Sequence, residues 1–113
     1  MDKQIERYET ILTTWLETFV SHRQHLADTE YTLVTDTVHH HFQVVRTGWV
    51  ADQYLYKVVF HFQIKPTGKI WILVNNTDLL ITDDLVAQGV PVSDIVIGFL
   101  PDSIRVYSGF AVA

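Results

Sequence analysis

Cysteine is absent from this chain of 113 residues, and its absence narrows the chemistry available to the protein. Without thiols there are no disulfides, no thiolate zinc site, no iron–sulfur cluster and no cysteine nucleophile. Any metal ligands must therefore be His, Asp or Glu. Long apolar runs are also missing, and none approaches the roughly 18 residues of a membrane-spanning helix. The sequence predicts a soluble globular protein.

Basic residues are few and scattered. The chain has eight Lys and Arg against 13 Asp and Glu, so the net charge is −5. The basic positions never form a run. Proteins that grip DNA usually carry a basic patch that displaces counterions from phosphates, so composition argues against direct DNA binding. That function stays open only if the fold gathers Arg46, Lys57, Lys65 and Lys69 onto one edge of a sheet.

Proline and glycine are scarce as well, with three and five residues, and no linker, repeat or low-complexity segment is visible. The composition, 48% hydrophobic and 19% charged, suits one packed core. We therefore expect a single domain over residues 1–113. The first residues, MDKQIERYETILTTW, are amphipathic and charged, unlike a secretory signal, which predicts a cytoplasmic protein.

An amphipathic helix is predicted over roughly residues 2 to 20. Its apolar side chains recur at spacings of three and four and so share one stripe: Ile5, Tyr8, Leu12, Trp15, Leu16 and Phe19. Residues 21–30 lose this period and predict a polar loop.

Two-residue periodicity begins at Tyr31 and predicts strands. It is clearest from Tyr54 to Ile64, where every even position is apolar, and the segment KPTGK (65–69) predicts a tight turn into a second strand over residues 69–74. Residues 79–88 predict a helix that Thr77 or Asp78 caps and Gly89 ends, and the tail predicts a strand.

Together these elements predict an α+β fold: the N-terminal helix packs on a curved antiparallel sheet of four or more strands, with a further short helix or helices before a C-terminal strand. The expected contact joins two sets of apolar side chains. On the helix these are Tyr8, Leu12, Trp15 and Phe19, and on the sheet they are Tyr56, Val58, Phe60 and Phe62.

Three consecutive histidines follow Asp36 and raise the question of a metal site. In a strand from Val38 to Arg46, His39 and His41 share one face, and an antiparallel neighbour would add His61. These three are weak candidate ligands, because zinc sites need three or four convergent ligands and only Asp36 offers a nearby carboxylate. No GxSxG, phosphate loop, GxGxxG or HExxH occurs, so we expect no catalytic residue and no cofactor. A His-based metal-dependent hydrolase remains the alternative.

A pattern spread over the whole chain resembles the XisI family, the fdxN element excision controlling factors known from cyanobacteria. Its first part comprises His41, Phe42, Gln43, Val44, Val45, Gly48, Trp49, Tyr56, His61, Ile64 and Lys65. Its second part comprises residues 68–72, 85–86, 89–91, 94–96, 98–99, Pro101, Arg105 and 109–113. The chain departs from the family pattern in two turns, at Pro66–Thr67 and at Asn75–Asn76–Thr77.

The resemblance implies a non-catalytic accessory factor for programmed excision of a DNA element during heterocyst differentiation. Its implied partners are an XisH-like protein and a site-specific recombinase, although a related paired system would fit equally. Exposed members of the shared pattern are candidate partner-binding residues: His41, Gln43, Trp49 and Arg105. The second face of the sheet, with Val45, Leu55, Val59, Trp71 and Leu73, would stay uncovered by a single helix, which predicts a homo-oligomer.

Overall fold

The computed structural model describes residues 3–23 and 28–113. In chain order the elements are α1 (Lys3–Arg23), β1 (Glu30–Asp36), β2 (His41–Val50), β3 (Gln53–Ile64), β4 (Ile70–Asn75), α2 (Ile81–Ala87), β5 (Ile95–Ile97) and α3 (Asp102–Arg105). The strands form one open sheet in the order β1-β2-β3-β4-β5. None of the helices in these ranges is long and apolar enough to cross a membrane.

The α+β class is confirmed, and the sheet is mixed. The first four strands are antiparallel neighbours, whereas β5 pairs with β4 in parallel. Parallel neighbours need a long crossover, and residues 76–94, which include α2, provide it. The expected C-terminal strand is reduced to a single bridge between Val96 and Ala111 beyond α3.

The apolar stripe of α1 packs on one face of the sheet, as predicted. Leu12 and Leu16 have no exposed surface, and Phe60 and Phe62 are equally buried beneath the helix. The ring of Phe60 meets those of Trp15 and Phe19 edge to face, with centroids 5.2 and 5.0 Å apart. Burial of each such side chain stabilises the fold by about 1.5–3 kcal/mol, so this contact dominates the core.

A β-bulge in β3 changes which side chains join that core. Val44 pairs with Phe60, but the next residue, Val45, pairs with Val58, so Val59 is an extra residue on β3. One extra residue reverses the alternation of side chains beyond it. Val59 therefore joins the core, whereas Tyr56 is 68% exposed. The prediction that Tyr56 and Val58 line the helix face is wrong.

A turn at residues 37–40 replaces the first part of the strand predicted from Val38. The Asp36 carboxylate accepts hydrogen bonds from the backbone amides of Val38 and His39, at 2.9 and 3.0 Å, and His40 adopts a positive φ of 61°. An aspartate that bonds to the backbone ahead of it favours a turn over a strand. The next strand consequently begins only at His41.

Two further boundaries differ from expectation. The first helix continues to Arg23, and residues 24–27 of the predicted loop lie outside the described ranges. The second, α2, begins after Leu80 without a side-chain cap. Thr77 instead accepts a hydrogen bond from the Leu79 amide, so it organises the loop before the helix. Gly89, with φ of 97°, ends α2 as predicted.

Tyr8 anchors the beginning of α1 to the segment before β5. Its side chain is buried, and its hydroxyl donates to the carboxylate of Asp94 at 2.5 Å, which also accepts from the Gln4 amide at 3.2 Å. Burial, then the hydrogen bond to Asp94 and the negative charge of that carboxylate, raises the pKa of Tyr8 to about 12 from its ordinary 10.0.

This raised pKa predicts a loss of stability at alkaline pH. The phenol of the unfolded chain ionises near pH 10 but that of the folded chain only near pH 12, so the free energy of unfolding should fall across this interval, by at most about 2–3 kcal/mol. Tyr8→Phe should abolish this fall and, at neutral pH, lower stability by about 1.5–3 kcal/mol. Urea unfolding between about pH 8 and about pH 11 measures both effects.

Tyr107→Phe is the matched control for Tyr8→Phe, because Tyr107 is 84% exposed. This substitution should leave the loss of stability at alkaline pH unchanged. If Tyr8→Phe loses stability above pH 10 as steeply as the unsubstituted protein, the buried phenol is not the group responsible.

Candidate functional site

The sheet face opposite α1 is covered only at its β4–β5 edge by the described parts of the chain. Over β1, β2 and β3 it is open, and exposed aromatic side chains gather there at the end of the β2–β3 hairpin. Trp49 is 63% exposed and lies against its cross-strand partner Tyr54, which is 56% exposed, with ring centroids 5.3 Å apart. With Tyr56, farther along β3, these residues form what we call the hairpin cluster.

Such a cluster has the composition of a binding surface. Tryptophan and tyrosine combine a large apolar ring with a polar atom and are enriched where proteins meet other proteins. The cross-strand contact between Trp49 and Tyr54 also limits the rotamers that both rings can adopt, so less conformational entropy is lost when a partner covers them.

Farther along the same two strands, away from the hairpin end, His41, Gln43 and His61 form a hydrogen-bonded chain on the open face. The amide nitrogen of Gln43 lies 3.1 Å from Nδ1 of His61, and Nε2 of His61 lies 2.9 Å from Nδ1 of His41. Because an amide nitrogen only donates, Nδ1 of His61 accepts, and neutral His61 carries its proton on Nε2 and donates it to His41.

Within this hydrogen-bonded group, protonation of His61 is disfavoured. Burial, followed by the charge that His41 carries when protonated, lowers the pKa of His61 below its ordinary value. The neutral form of His61 is also the form that the hydrogen bonds require. The arrangement therefore orients two imidazoles on the sheet and keeps one of them uncharged near neutral pH.

The three candidate metal ligands are separated by the turn at residues 37–40. His41 and His61 are adjacent on neighbouring strands, but His39 lies in the turn, where Nδ1 of its ring is 2.9 Å from the Asp36 carboxylate. Two imidazoles are fewer than the three or four ligands of a zinc site. Within residues 3–23 and 28–113, no group of three or more His, Asp or Glu side chains is placed to hold a metal ion.

At the covered edge of this face, Arg105 organises the C-terminal segment. Its guanidinium carbon lies 4.9 Å from the centroid of the Trp71 ring, and Nζ of Lys65 lies 3.7 Å from the same centroid. The guanidinium also donates to the carbonyl oxygens of Leu100, Gly98 and Val112, at 2.9, 3.4 and 3.1 Å. Only 12% of the Arg105 side chain is exposed.

The four predicted partner-binding residues therefore lie in different environments. Trp49 is exposed in the hairpin cluster, whereas His41 and Gln43 are half-buried and hydrogen-bonded to His61. Arg105 is less exposed than expected, because its donors are directed at backbone carbonyls of its own segment, and its role in partner binding stays a prediction.

The apolar residues on the open face also differ from those predicted. Val45, Trp71 and Leu73 lie on it, but the bulge places Val59 in the core, and Leu55, which pairs with Gly48, lies on the helix side. The open face carries Tyr54 and Tyr56 instead, although Tyr56 was expected beneath the helix. The adjacent apolar pair Val58–Val59, which interrupts strict alternation, is the signal that could have revealed the shift.

Comparisons with known proteins agree with this architecture. The family model described as XisI protein matches residues 1–112. A XisI-like protein from Anabaena variabilis ATCC 29413 has a solved structure that is 34% identical, with a TM-score of 0.89, over 96% of this chain and 99% of that one. The structure of fdxN element excision controlling factor XisI from the same organism is 26% identical, with a TM-score of 0.85, over 97% and 99%. The search of curated proteins found no match.

Fold and site define a small α+β protein in which one helix covers one face of a five-stranded mixed sheet and the other face presents an aromatic cluster. A family model covering nearly the whole chain shows which proteins of this class are its relatives. The chain belongs to the XisI protein family.

Proposed function

We propose that this XisI-family protein is a non-catalytic regulatory factor that acts by binding another protein through the hairpin cluster. The observation that carries this proposal is the exposure of Trp49, Tyr54 and Tyr56 together at one end of the sheet. The description of a relative as a controlling factor supports a regulatory role. The alternative, a His-based hydrolase, has only the His41–His61 pair in its favour.

The partner that the family suggests is an XisH-like protein, which acts with a site-specific recombinase in element excision or in a related paired system. The net charge of −5 suits a partner whose own surface binds DNA. Complementary charge speeds encounter and selects the partner more than it adds affinity, so the complex should form more slowly in high salt.

Self-association is a second use of the same surface. One helix covers one side of the sheet, and an uncovered apolar area of this kind closes two-fold interfaces in many small proteins. A second copy and a partner protein would then compete for Trp49 and its neighbours.

Trp49→Ala tests the proposal in cells that co-express this protein with an XisH-like protein encoded nearby. We expect the partner to co-purify with the unsubstituted protein and to be lost with Trp49→Ala, with a melting temperature nearly unchanged because Trp49 is 63% exposed. Light scattering on the protein alone should show a lower mass for the variant if the surface also joins two copies.

Tyr107→Ala is the matched control, since it removes an aromatic ring that is 84% exposed on the C-terminal segment. It should leave co-purification intact. A large loss of stability in Trp49→Ala, with full binding by the fraction that stays folded, would show that Trp49 serves the fold and not the interface.

A further inference from the structure

Three cations converge on a recess on the helix side of the sheet, away from the hairpin cluster. Arg23 comes from the last turn of α1, Arg46 from β2 and Lys57 from β3, and all three line one recess of about 170 Å³. The chain has only eight basic residues, so three of them in one place leave a local positive charge on an acidic protein.

The arrangement has an unfavourable electrostatic component. Arg46 and Lys57 are cross-strand partners, and like charges directly opposite each other destabilise a sheet. Within the part of the chain that the structure describes, no carboxylate forms an ion pair with Arg23, Arg46 or Lys57. No ion pair among those residues therefore offsets the repulsion, although the Asp78 carboxylate lines the same recess.

Both arginines are held in place by contacts that use little of their donor capacity. The guanidinium of Arg46 lies over the Tyr31 ring, 5.3 Å from its centroid, and its Nε donates to Thr29 at 2.6 Å. The guanidinium of Arg23 lies over the Phe19 ring at 4.9 Å. Stacking on aromatic faces orients a guanidinium but leaves its terminal N–H groups available for an acceptor.

Two of the neutral polar side chains around the recess donate hydrogen bonds within the fold. The Asn76 amide donates to the carbonyl of Val58 at 2.8 Å, and the Thr77 hydroxyl donates to Asn75 at 2.7 Å. Asp78 also lines the recess and makes none of the ion pairs found in the described ranges. The charged groups that line the recess are therefore the three cations and one carboxylate, that of Asp78.

We propose that this recess binds a single phosphate dianion, either inorganic phosphate or the terminal phosphate of a small phosphomonoester. Two guanidiniums and an ammonium match the charge and the acceptor geometry of that group. The recess, of about 170 Å³, has room for an anion the size of phosphate, which has five non-hydrogen atoms.

The remaining basic residues argue for this small ligand over the DNA backbone. Lys65 and Arg105 stack on Trp71, Lys69 donates to the carbonyl of Ala113, and Arg7 donates to that of Gly89. These four are engaged within the fold, and Lys3 lies at the opposite end of α1 from Arg23, whereas duplex DNA is bound by several phosphate contacts at once. Of the four basic residues considered as neighbours on one sheet edge, only Arg46 and Lys57 therefore lie together, and Arg23 joins them.

Lys57→Gln tests the site, with inorganic phosphate as the probe and chloride at matched ionic strength as the reference. Lys57 is exposed, so the variant should fold. In chloride its melting temperature should equal or exceed that of the unsubstituted protein, because the repulsion with Arg46 is gone. Phosphate should raise the melting temperature of the unsubstituted protein, and its affinity by calorimetry should fall about tenfold in Lys57→Gln.

Lys3→Gln is the matched control, because it makes the same charge change at the other end of α1. It should keep the full response to phosphate, including the general stabilisation that this salt gives any protein. Asp78→Asn removes the one carboxylate of the recess and should tighten phosphate binding several-fold.

Equal stabilisation of the unsubstituted protein, Lys57→Gln and Lys3→Gln by phosphate would overturn the proposal, since only the general salt effect would then be present. Binding of a labelled DNA duplex that Lys57→Gln weakens, without a specific response to phosphate, would overturn it in favour of a backbone contact.

Discussion

Phe60→Ala is expected to lower the free energy of unfolding by about 3–5 kcal/mol, the largest effect of any substitution considered for this chain. The Phe60 ring is fully buried and meets Trp15 and Phe19 edge to face, so its removal leaves a cavity between α1 and the sheet. Urea unfolding monitored by tryptophan fluorescence measures the change, and Trp15 reports on the cavity directly.

Tyr56→Ala is the matched control for Phe60→Ala, because strict alternation along β3 would place both rings on the same face. Tyr56 is 68% exposed beyond the bulge, so the loss should stay below about 1 kcal/mol. Similar losses at both positions would mean that the bulge at Val59 does not persist in solution.

Arg105→Ala is expected to lower the free energy of unfolding by about 2–4 kcal/mol and to expose the C-terminal segment to proteases. The substitution removes hydrogen bonds to three carbonyl oxygens and the stacking on Trp71. Urea unfolding and limited proteolysis of residues 98–113 measure the two effects.

Asp102→Asn separates the backbone contacts of Arg105 from its ion pair. Asp102 is 92% exposed, so its pair with Arg105 should contribute no more than about 1 kcal/mol. Unchanged stability of Arg105→Ala together with lost partner binding would return Arg105 to the role of an interface residue, which its sequence pattern suggested.

Periodicity predicted the parts of the fold in which one physical factor dominates. The stripe from Ile5 to Phe19 specifies a helix because only a 3.6-residue period brings those side chains together, and the KPTGK turn specifies the β3–β4 hairpin. These elements were predictable because burial and turn chemistry act there over short distances in the sequence.

Other features depend on competing local interactions that the alternation of apolar and polar residues does not reveal. At His39 and His40 the Asp36 carboxylate bonds to the backbone and forms a turn, so the tandem histidines divide between a turn and a strand. At Val58–Val59 both side chains are apolar, and the choice of which one enters the core is made by the pairing with β2. Neither outcome follows from hydrophobicity alone.

The recess of Arg23, Arg46 and Lys57 depends on tertiary structure. Its members are separated along the chain, and the pairing of β2 with β3 and the length of α1 bring them together. The sequence identified Arg46 and Lys57 as possible neighbours but grouped them with Lys65 and Lys69, because without the register the ends of one strand are indistinguishable.

The bulge at Val59 also divides the β2–β3 hairpin into two parts that can change independently. On one side of Val59 the side chains on the helix face, such as Phe60 and Phe62, are close-packed beneath α1, so a substitution of either affects the helix. On the other side the residues around Trp49 and Tyr54 meet mainly each other and solvent. Substitutions at the hairpin end can therefore change binding specificity during evolution without destabilising the core. For the same reason, a new recognition sequence can be grafted there by design.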